Sequence, residues 1–537
     1  MDLSFNPLYV GLYPEIHYTF DLFFSRLRHS EPEIVIDCPF RTDPGKSIPV
    51  LCIIKHANRF PISLHSISIE ISYEGGAREK ETVLSEPIHV RSYLWYRVFY
   101  LQPPDGYSGE ALISTHIEIE ARGRRNRILT HNYRGVRQSP LRVHIAKEPL
   151  PALENWHYGE PHCHTFHSDD QVEFGAPLPA TVEMAAAMGL RWLAITDHSY
   201  DLDDVYSNTL KQDHNLLKWR RLKEQVEKEN AAGTVRLILG EEVSCGNARS
   251  KNVHVLAFGI KNFIPGAGDG AERWFRTRPD VPLREVLKSV EQDGGVAYAS
   301  HPEDRFTLGE RLMLRRGHWE REDYDLPKYA GLQFWNGKQD KAFYEGYKRW
   351  VEMLLSGRHI YFIGGNDSHG DFNLFRQVRV PLLRMIDSSS KVFGKVRTCL
   401  CCRTGVSEAT VLYALKHGNS FVSSGPFLAC EAENERGERA GLGGQISGRT
   451  IVVEIKARVT DEFGDLERIV LCEGNLTKRT EAKRDLRAGS DFHDLREVTK
   501  NLTCHVAHPV YFRVEAVSRR GEDLYHAYTN PIWLNPG

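Results

Sequence analysis

The sequence predicts a mixed α/β protein, in which a closed barrel of β-strands and α-helices is flanked on each side by a β-sandwich domain. Three observations lead to this expectation. Apolar and polar residues alternate near both ends of the chain, short apolar stretches alternate with helical ones between them, and histidines and carboxylates gather where those apolar stretches end. The 537 residues are enough for three or four domains of ordinary size.

The composition is that of a globular protein without a strongly charged partner. Lys and Arg number 69 and Asp and Glu 71, and the resulting net charge of −2 argues against a general nucleic-acid binder. We therefore expect nucleic acid only as a nucleotide or oligonucleotide substrate. The sequence shows no run of about 18 apolar residues and no secretory signal, and its ten cysteines are scattered. A reduced, cytoplasmic protein without a membrane partner is expected.

The two outer regions, residues 1–150 and 427–537, have the period of β-strands. Side chains alternate between apolar and polar, which is typical of strands with one face on a core and one in water. Examples of the apolar positions are Ile67, Ile69, Ile71, Ile451, Val453 and Ile455. Each region is predicted to form a β-sandwich domain.

The middle region, residues 156–426, alternates strands with helices. Strands are predicted at 192–196, 235–239, 253–258, 296–299, 331–335 and 360–363, with a short one before His162. Helices are predicted at 181–188, 216–229, 283–292, 341–355 and 408–417. Such alternation indicates βα units and a parallel sheet, and seven strands fit one closed barrel better than two sheets.

Metal-binding residue types lie at the ends of these strands. They are His162, His164, Asp197, His198, Glu241, Glu242, His301, Asp367 and His369, while His254 opens its strand. Histidines two apart on a strand point to the same face, and the carboxyl ends of barrel strands form the active face. A single such residue is more often a hydrogen-bonding or helix-capping group, an alternative that applies to Asp197 and Asp367.

Taken as a set, these residues predict a centre with several metal ions. Nitrogen and oxygen ligands without thiolates favour Zn, Mn or Fe. The set exceeds the three or four protein ligands of one ion, so two or three divalent ions are expected, with Glu242 as the bridging carboxylate.

The motifs resemble those of the PHP (polymerase and histidinol phosphatase) superfamily of metal-dependent phosphoesterases. Its first motif, Asp-x-His-x-His-Thr…Ser-Asp-Gly, corresponds here to residues 160–170, with Glu160 in place of Asp and Asp170 in place of Gly. Segments 196–198, 240–244, 300–302 and 366–369 match the later motifs. Segments 332–337 and 418–426 are similar to hallmarks of the carbaryl-hydrolase-type (CehA/McbA-like) branch, whose members often carry flanking β-domains.

The resemblance implies a fold and a set of ligands. The fold is a distorted (β/α)7, TIM-like PHP barrel. Three metal ions are implied, and their ligands are, in turn, His162, His164, Glu242 and Asp367; Glu242, His254 and His301; and Asp169, His198 and His369.

Three further side chains are candidates for catalysis. Arg305 follows a strand that carries a predicted ligand and is suited to gripping a phosphate, although a surface arginine is an equal alternative. Asn336 ends a strand and either faces the pocket or forms a turn before Gly337. His167 is a candidate proton donor, with an exposed, inactive histidine as the favoured alternative.

The function that we expect from the sequence is hydrolysis of phosphoric esters by a metal-bound hydroxide, with a small-molecule phosphate ester as substrate. Hydrolysis of a carbamate, ester or amide on the same centre is an alternative. A non-catalytic binding or scaffold protein with a vestigial barrel is another. The neighbouring thiols of Cys399, Cys401 and Cys402 are interpreted as structural. The oligomeric state and the role of the outer domains stay open.

Overall fold

The structure is a computed structural model of the 537-residue chain. It describes residues 31–132, 138–168, 175–206, 208–266, 278–306, 311–312, 314–379, 384–388, 391–486 and 496–537, without the side chains of 208–210, 375–379 and 384–388. In these residues no helix is both long and apolar enough to cross a membrane.

The N-terminal region is built from strands. They are β1 (Glu33–Asp37), β2 (Arg41–Thr42), β3 (Ile48–Lys55), β4 (Ile62–Tyr73), β5 (Arg78–Leu84), β6 (Ile88–Val90), β7 (Leu94–Leu101), β8 (Gly109–Ala121), β9 (Arg124–Ile128) and β10 (Leu141–Ile145). One sheet has the order β1-β3-β7, and the other has the order β2-β10-β8-β4-β5 with β6 and β9 at its edges. Alternate side chains of both sheets share one hydrophobic core, as the period-two pattern predicts.

The middle region alternates strands and helices. Its strands are β11 (Trp156–Cys163), β12 (Trp192–Ile195), β13 (Asp204–Val205), β14 (Asn208–Gln212), β15 (Arg236–Gly246), β16 (Asn252–Phe258), β17 (Val296–Ser300), β18 (Gly331–Asn336), β19 (Tyr361–Gly365), β20 (Phe375–Arg379), β21 (Arg384–Ser388), β22 (Arg397–Cys401) and β23 (Ser420–Ser423). Its helices are α1 (Leu178–Ala187), α2 (Ser199–Leu202), α3 (Leu217–Ala232), α4 (Leu283–Asp293), α5 (Arg321–Tyr324), α6 (Lys341–Leu355) and α7 (Glu408–His417).

The C-terminal region returns to strands. They are β24 (Phe427–Asn434), β25 (Arg439–Gly441), β26 (Gln445–Ser447), β27 (Thr450–Arg458), β28 (Asp465–Asn475), β29 (Thr480–Asp485), β30 (Glu497–His505), β31 (Val510–Arg520), β32 (Asp523–Thr529) and β33 (Ile532–Asn535). A four-stranded sheet has the order β25-β24-β27-β30. The others join a 15-stranded sheet that continues into the middle region, because β23 pairs with β32.

The middle strands form a mixed sheet in the order β19-β18-β17-β16-β15-β12-β11-β22-β23. The expectation of an all-parallel sheet is wrong at β16, which is antiparallel to both β15 and β17. The reason is that β15 and β16 are joined by a short turn, whereas parallel neighbours need a long crossover. The start of β16 therefore lies at the same edge as the ends of the parallel strands.

Within the part of the chain that the structure describes, the strand pairings make an open path rather than a complete ring. Its end strand β19 approaches β11 just beyond residue 365, where the backbone N–H of Asp367 donates to the carbonyl of His162 at 3.0 Å. The N–H of His164 donates to the carbonyl of Ser368 at 2.9 Å. These two bonds bring the end of β11 against the segment after β19.

Candidate metal centre

Eight polar side chains from six places in the chain converge at this edge of the sheet. Each is at most 6% exposed, although all are histidines or carboxylates. They are His162 and His164 at the end of β11, His198 after β12, Glu242 in β15, His254 in β16, His301 after β17, and Asp367 and His369 after β19. We refer to these eight residues as the central cluster.

The tightest part of the central cluster contains His162, His164, Glu242 and Asp367. The Nε2 atoms of the two histidines are 3.1 Å apart. Asp367 Oδ1 lies 3.3 Å from His162 Nε2 and 3.1 Å from His164 Nε2. Glu242 Oε2 lies 3.2 Å from His162 Nε2 and 3.5 Å from His164 Nε2. Two nitrogen and two oxygen donors thus surround one point, as in the first predicted ligand set.

Glu242 connects this group to a second one. Its Oε1 atom lies 2.9 Å from His254 Nδ1 and 2.9 Å from His301 Nε2, the two partners predicted for the second ion. Its Oε2 atom lies 3.3 Å from His198 Nδ1. The two oxygens therefore face different sets of histidines, which is the geometry of a bridging carboxylate.

A third group contains His164, His198 and His369. The rings of His164 and His369 are stacked with their centroids 4.1 Å apart. The structure thus brings together two of the three residues predicted for the third ion. The remaining one, Asp169, lies outside the described residues.

The residues present fit divalent metal ions. Both ring nitrogens of His198 and Glu242 Oε2 are buried and make no hydrogen bond among the described residues. Buried polar atoms are costly unless they are satisfied, and a cation held between them would satisfy them. The donor atoms lie within 4.8 Å of one another in the sets His162-His164-Glu242-Asp367, His198-Glu242-His254 and His164-His198-His369, and none is a thiolate. This donor set suits Zn, Mn or Fe.

The electrostatics also suit a cation. Burial alone would lower the pKa of His162, but the Glu242 and Asp367 carboxylates outweigh it and raise the pKa to about 9. Burial would raise the pKa of Glu242, yet His162 and His254 hold it well below its usual value. Burial and the neighbouring His164 keep the pKa values of His198 and His369 well below 6.5, so both rings are neutral and available as ligands.

Four side chains that were not proposed as ligands orient the cluster. Gln333 Oε1 accepts a hydrogen bond from His162 Nδ1 at 2.9 Å, which leaves Nε2 facing the centre. Ser300 Oγ donates to Glu242 Oε1 at 2.7 Å. Asn336 Nδ2 and Lys391 Nζ both donate to Asp367 Oδ2, at 3.2 and 2.5 Å. Sequence reasoning missed Lys391, because it stands in no motif and lies 24 residues from its partner.

Two buried carboxylates support the loops around the cluster. Asp197 accepts bonds from the backbone and hydroxyl groups of Thr165 and Ser168, at 2.7 to 3.2 Å, so the helix-capping alternative for it is wrong. Glu160 accepts from the backbone N–H groups of His162, Asn366 and Gly394 and from the Asn366 side chain. Glu160, one of the two departures from the motif that the sequence resembles, thus bonds to the segments that carry His162 and Asp367.

The three predicted catalytic residues have different surroundings. Asn336 faces the cluster through Asp367, as described above. Arg305 is exposed and pairs with Glu345 of α6 at 3.5 Å. His167 is fully buried, so the alternative of an exposed histidine is wrong. Its ring lies 3.3 Å from both Gln225 Oε1 and the hydroxyl of Tyr206, and burial lowers its pKa to about 4.

The three neighbouring thiols of Cys399, Cys401 and Cys402 belong to none of these donor groups. Cys399 and Cys402 are buried and Cys401 is half-buried. Burial raises the pKa of Cys402 to about 11, so that thiol is protonated at neutral pH. This agrees with the structural interpretation.

Comparison with known proteins adds no family. No protein-family model matches the chain, and no curated protein matches it. Similar solved structures include a Pseudomonas fluorescens alkylpurine DNA glycosylase, AlkC, bound to DNA containing an abasic site analog, at 14% identity and a TM-score of 0.13, over 19% of this chain and 30% of that one. A putative beta-galactosidase from Bacteroides fragilis has 10% identity and a TM-score of 0.20, over 94% and 74% of the two chains.

A Parabacteroides merdae beta-glucuronidase has 8% identity and a TM-score of 0.19, over 94% of this chain and 64% of that one. This chain therefore spans less than a third of the glycosylase and just under two thirds of the glucuronidase. At such TM-scores we draw neither fold nor function from these structures.

Proposed function

We propose that this chain is a metal-dependent hydrolase with a multinuclear centre, acting on phosphoric esters. The observation that carries the proposal is the central cluster itself. Six histidines and two carboxylates are buried together, with Glu242 between two sets of imidazoles. A core gains no stability from so many desolvated polar groups unless they have partners, so the arrangement indicates bound cations.

The proposal also includes a barrel fold for the middle region. The strands β11, β12, β15, β16, β17, β18 and β19 are neighbours in that order, and the segment after β19 returns to the end of β11. We interpret them as a distorted seven-stranded barrel of the PHP type, with the cluster at its active face. The motif order and the places of the ligands support this interpretation.

When bound, divalent ions at this centre would supply Lewis acidity and an activated water. The chain's own residues hold the donors in place. Gln333 fixes the tautomer of His162, and Asn336 and Lys391 hold one oxygen of Asp367 so that the other faces His162 and His164. Each of these contacts orients a ligand through the atom that does not face the centre.

The charge at the rim favours an anionic substrate. The side chain of Lys391 is 24% exposed, whereas the residues of the central cluster are buried. Its ammonium group and the amide of the buried Asn336 both contact Asp367 beside the centre, where they suit a phosphate oxygen. Carbamate, ester or amide hydrolysis is the second candidate, since the same centre can act on a carbonyl carbon. A non-catalytic binding protein with a vestigial barrel is the third candidate. Eight of the nine predicted ligands lie in the central cluster, and this argues against it.

The test begins with elemental mass spectrometry of the full chain, purified without added metal or chelator. By the ligand count we expect about two to three equivalents of Mn, Fe or Zn per chain. Glu242→Gln should lose most of this metal, while His417→Gln, at a half-buried position on α7 outside the cluster, should keep it. Hydrolysis is then measured on panels of phosphoesters and carbamates. Absence of metal after incubation with all three ions would contradict the proposal, and turnover of carbamates alone would select the second candidate.

A further inference from the structure

Helix α3 carries its charges in an unfavourable order. Its first seven residues, 217–223, contain four basic side chains and no acidic one. The acidic side chains of Glu224, Glu227 and Glu229 follow in its second half. The amide dipoles of a helix make its N-terminal end positive, so basic residues there destabilise the helix. The charge order therefore opposes the helix dipole, and the stability of α3 does not account for it.

One face of α3 brings two of these cations to the same aromatic ring. Lys218 Nζ lies 5.7 Å and Arg221 Cζ lies 5.0 Å from the centre of the Tyr206 ring. Positions i and i+3 are neighbours on a helix surface, so two like charges from adjacent positions meet at this ring. Like charges so placed repel each other, and an anion bound beside the ring would offset both. We refer to Tyr206, Lys218 and Arg221 as the basic patch.

The two cations of the basic patch differ in exposure. Lys218 is only 2% exposed, whereas Arg221 is exposed. A buried ammonium group costs free energy unless a partner replaces its lost hydration. The Tyr206 ring attracts both cations, but more weakly than an oxyanion would. The basic patch thus combines a buried cation with one that a ligand reaches from solution.

The basic patch lies beside the loop that leads out of the central cluster. The Tyr206 hydroxyl is 3.3 Å from His167 Nδ1, and Gln225 Oε1 of α3 is 3.3 Å from His167 Nε2. The hydroxyl of the next residue, Ser168, is 3.3 Å from His164 Nδ1. His164 and His167 are three residues apart, which is at most about 11 Å of chain. A substrate of moderate length therefore spans the central cluster and the basic patch.

Given the proposed hydrolase function, on which this inference rests, we propose that the basic patch binds a second anionic group of the substrate. This group lies on the part of the ester that leaves when the phosphoric ester is hydrolysed. The shared chemistry is an oxyanion, either a carboxylate or a phosphate. Arg221 offers it a planar, two-point contact, and Lys218 adds a point charge. The substrate class is a phosphoric ester with a distal anion, and the patch determines specificity.

The experiment compares charged and neutral forms of one substrate series. Phosphoric monoesters of ω-hydroxy carboxylic acids of increasing chain length are paired with their methyl esters, and bisphosphates of the matching diols test phosphate as the distal group. We measure kcat/KM on the metal-loaded full chain, and Kd of the matching phosphonates, which are not hydrolysed, by isothermal titration. At a chain length that spans the two sites, the anionic end should raise kcat/KM and affinity at least about tenfold over the methyl ester.

Three variants locate this preference. Arg221→Gln and Lys218→Met each remove one charge of the basic patch and should bring the ratio of charged to neutral substrate toward one. Since Lys218 is buried and Arg221 is exposed, Arg221→Gln decides the matter if Lys218→Met fails to fold. Arg220→Gln is the matched control, because Arg220 is an exposed arginine turned by about 100° around the same helix. It should keep the parent ratio.

The outcomes separate the basic patch from the hydrolase function. If no ester is hydrolysed but the charged phosphonate binds more tightly and loses this advantage in Arg221→Gln, the patch stands and the hydrolase function falls. Equal kcat/KM and equal Kd of charged and neutral forms at every chain length would overturn the inference even with active enzyme. So would an equal loss of preference in Arg220→Gln, which would reflect net charge alone. If Arg221→Gln weakens both forms alike, the residue only supports the loop of His167, which also overturns it.

Discussion

The Nζ atom of Lys391 lies 2.5 Å from Asp367 Oδ2, the carboxylate oxygen that does not face His162 and His164. The other oxygen, Oδ1, lies within 3.3 Å of both imidazole Nε2 atoms. One carboxylate thus divides its two oxygens between an ammonium group and the histidines of the central cluster. Asn336 donates to the same oxygen as Lys391 and completes this orientation.

We predict that Lys391→Met lowers metal affinity or turnover by roughly 10–100-fold, the usual effect of removing a partner that orients a ligand. Asp367 would lose the contact that directs Oδ1 inward. Metal content by elemental mass spectrometry and kcat and KM on a phosphoester substrate measure this. Lys338→Met is the matched control, since Lys338 pairs at 3.3 Å with Asp340 on the surface. Equal effects of both variants would contradict a specific role for Lys391.

Gln333 is predicted to set the tautomer of His162. Its Oε1 atom accepts from His162 Nδ1 at 2.9 Å, and Gln333→Leu removes that acceptor while keeping the bulk. Metal affinity should fall by about 10–100-fold, because the imidazole is no longer held with Nε2 inward. Gln339→Leu, which removes a bond to the Tyr528 hydroxyl, is the control. Unchanged metal binding in Gln333→Leu would show that the ring is oriented by packing alone.

Glu160 is predicted to need both of its oxygens as acceptors. Four donors face it, from His162, Gly394 and twice from Asn366, although burial raises its pKa to about 7. Glu160→Gln would turn an amide NH₂ toward donors and should cost about 1–3 kcal/mol of stability. The loss is measured as a fall in the melting temperature.

Glu241 provides the matched control for this substitution. It is also fully buried, and burial raises its pKa well above 4.5, which favours the neutral carboxyl group. The backbone N–H of Ile264 donates to it at 3.2 Å. Glu241→Gln keeps that acceptor and should change stability little. A larger loss in Glu241→Gln than in Glu160→Gln would refute the argument.

Glu515 links the C-terminal sheet to α6, and its contribution to stability should depend on pH. Burial opposes its ionisation, but Arg513 at 2.6 Å and the hydroxyl of Tyr347 outweigh burial and lower its pKa to about 2. A carboxyl group whose pKa is lower in the folded than in the unfolded state stabilises the fold at pH values above its unfolded pKa, here near 4.5. This stabilisation is lost as the pH falls toward 2. Above the unfolded pKa, the ionised Glu515 side chain contributes roughly 3 kcal/mol to the free energy of unfolding.

The melting temperatures of the parent chain and Glu515→Gln should therefore differ most near pH 7. The gap should narrow below about pH 4.5, as the unfolded-state carboxyl becomes protonated. Glu522→Gln, at an exposed position between β31 and β32, should show no such gap. A constant difference across this pH range would mean that the substitution acts through packing.

The local structure of the middle region follows closely from its sequence pattern. The predicted helices at 341–355 and 408–417 agree with α6 and α7, and each predicted strand overlaps an observed one. These elements are long or strongly patterned, so local periodicity and capping decide them. Asp340, for example, caps α6 by accepting from the N–H groups of Ala342 and Phe343. The pairing of β23 with β32 was not predictable, since strands a hundred residues apart carry no mutual signal.

The sequence by itself determined which side chains supply the centre, because histidines and carboxylates recur at strand ends and their types decide the chemistry. Only the tertiary structure decided how they meet. His254 reaches Glu242 because β16 is antiparallel, which puts a strand start at the edge where other strands end. Lys391 and Glu160 acquire their roles from contacts with distant segments. The local sequence pattern predicts which face of its strand a side chain lies on. The residues that this side chain contacts depend instead on how the strands are paired in the sheet.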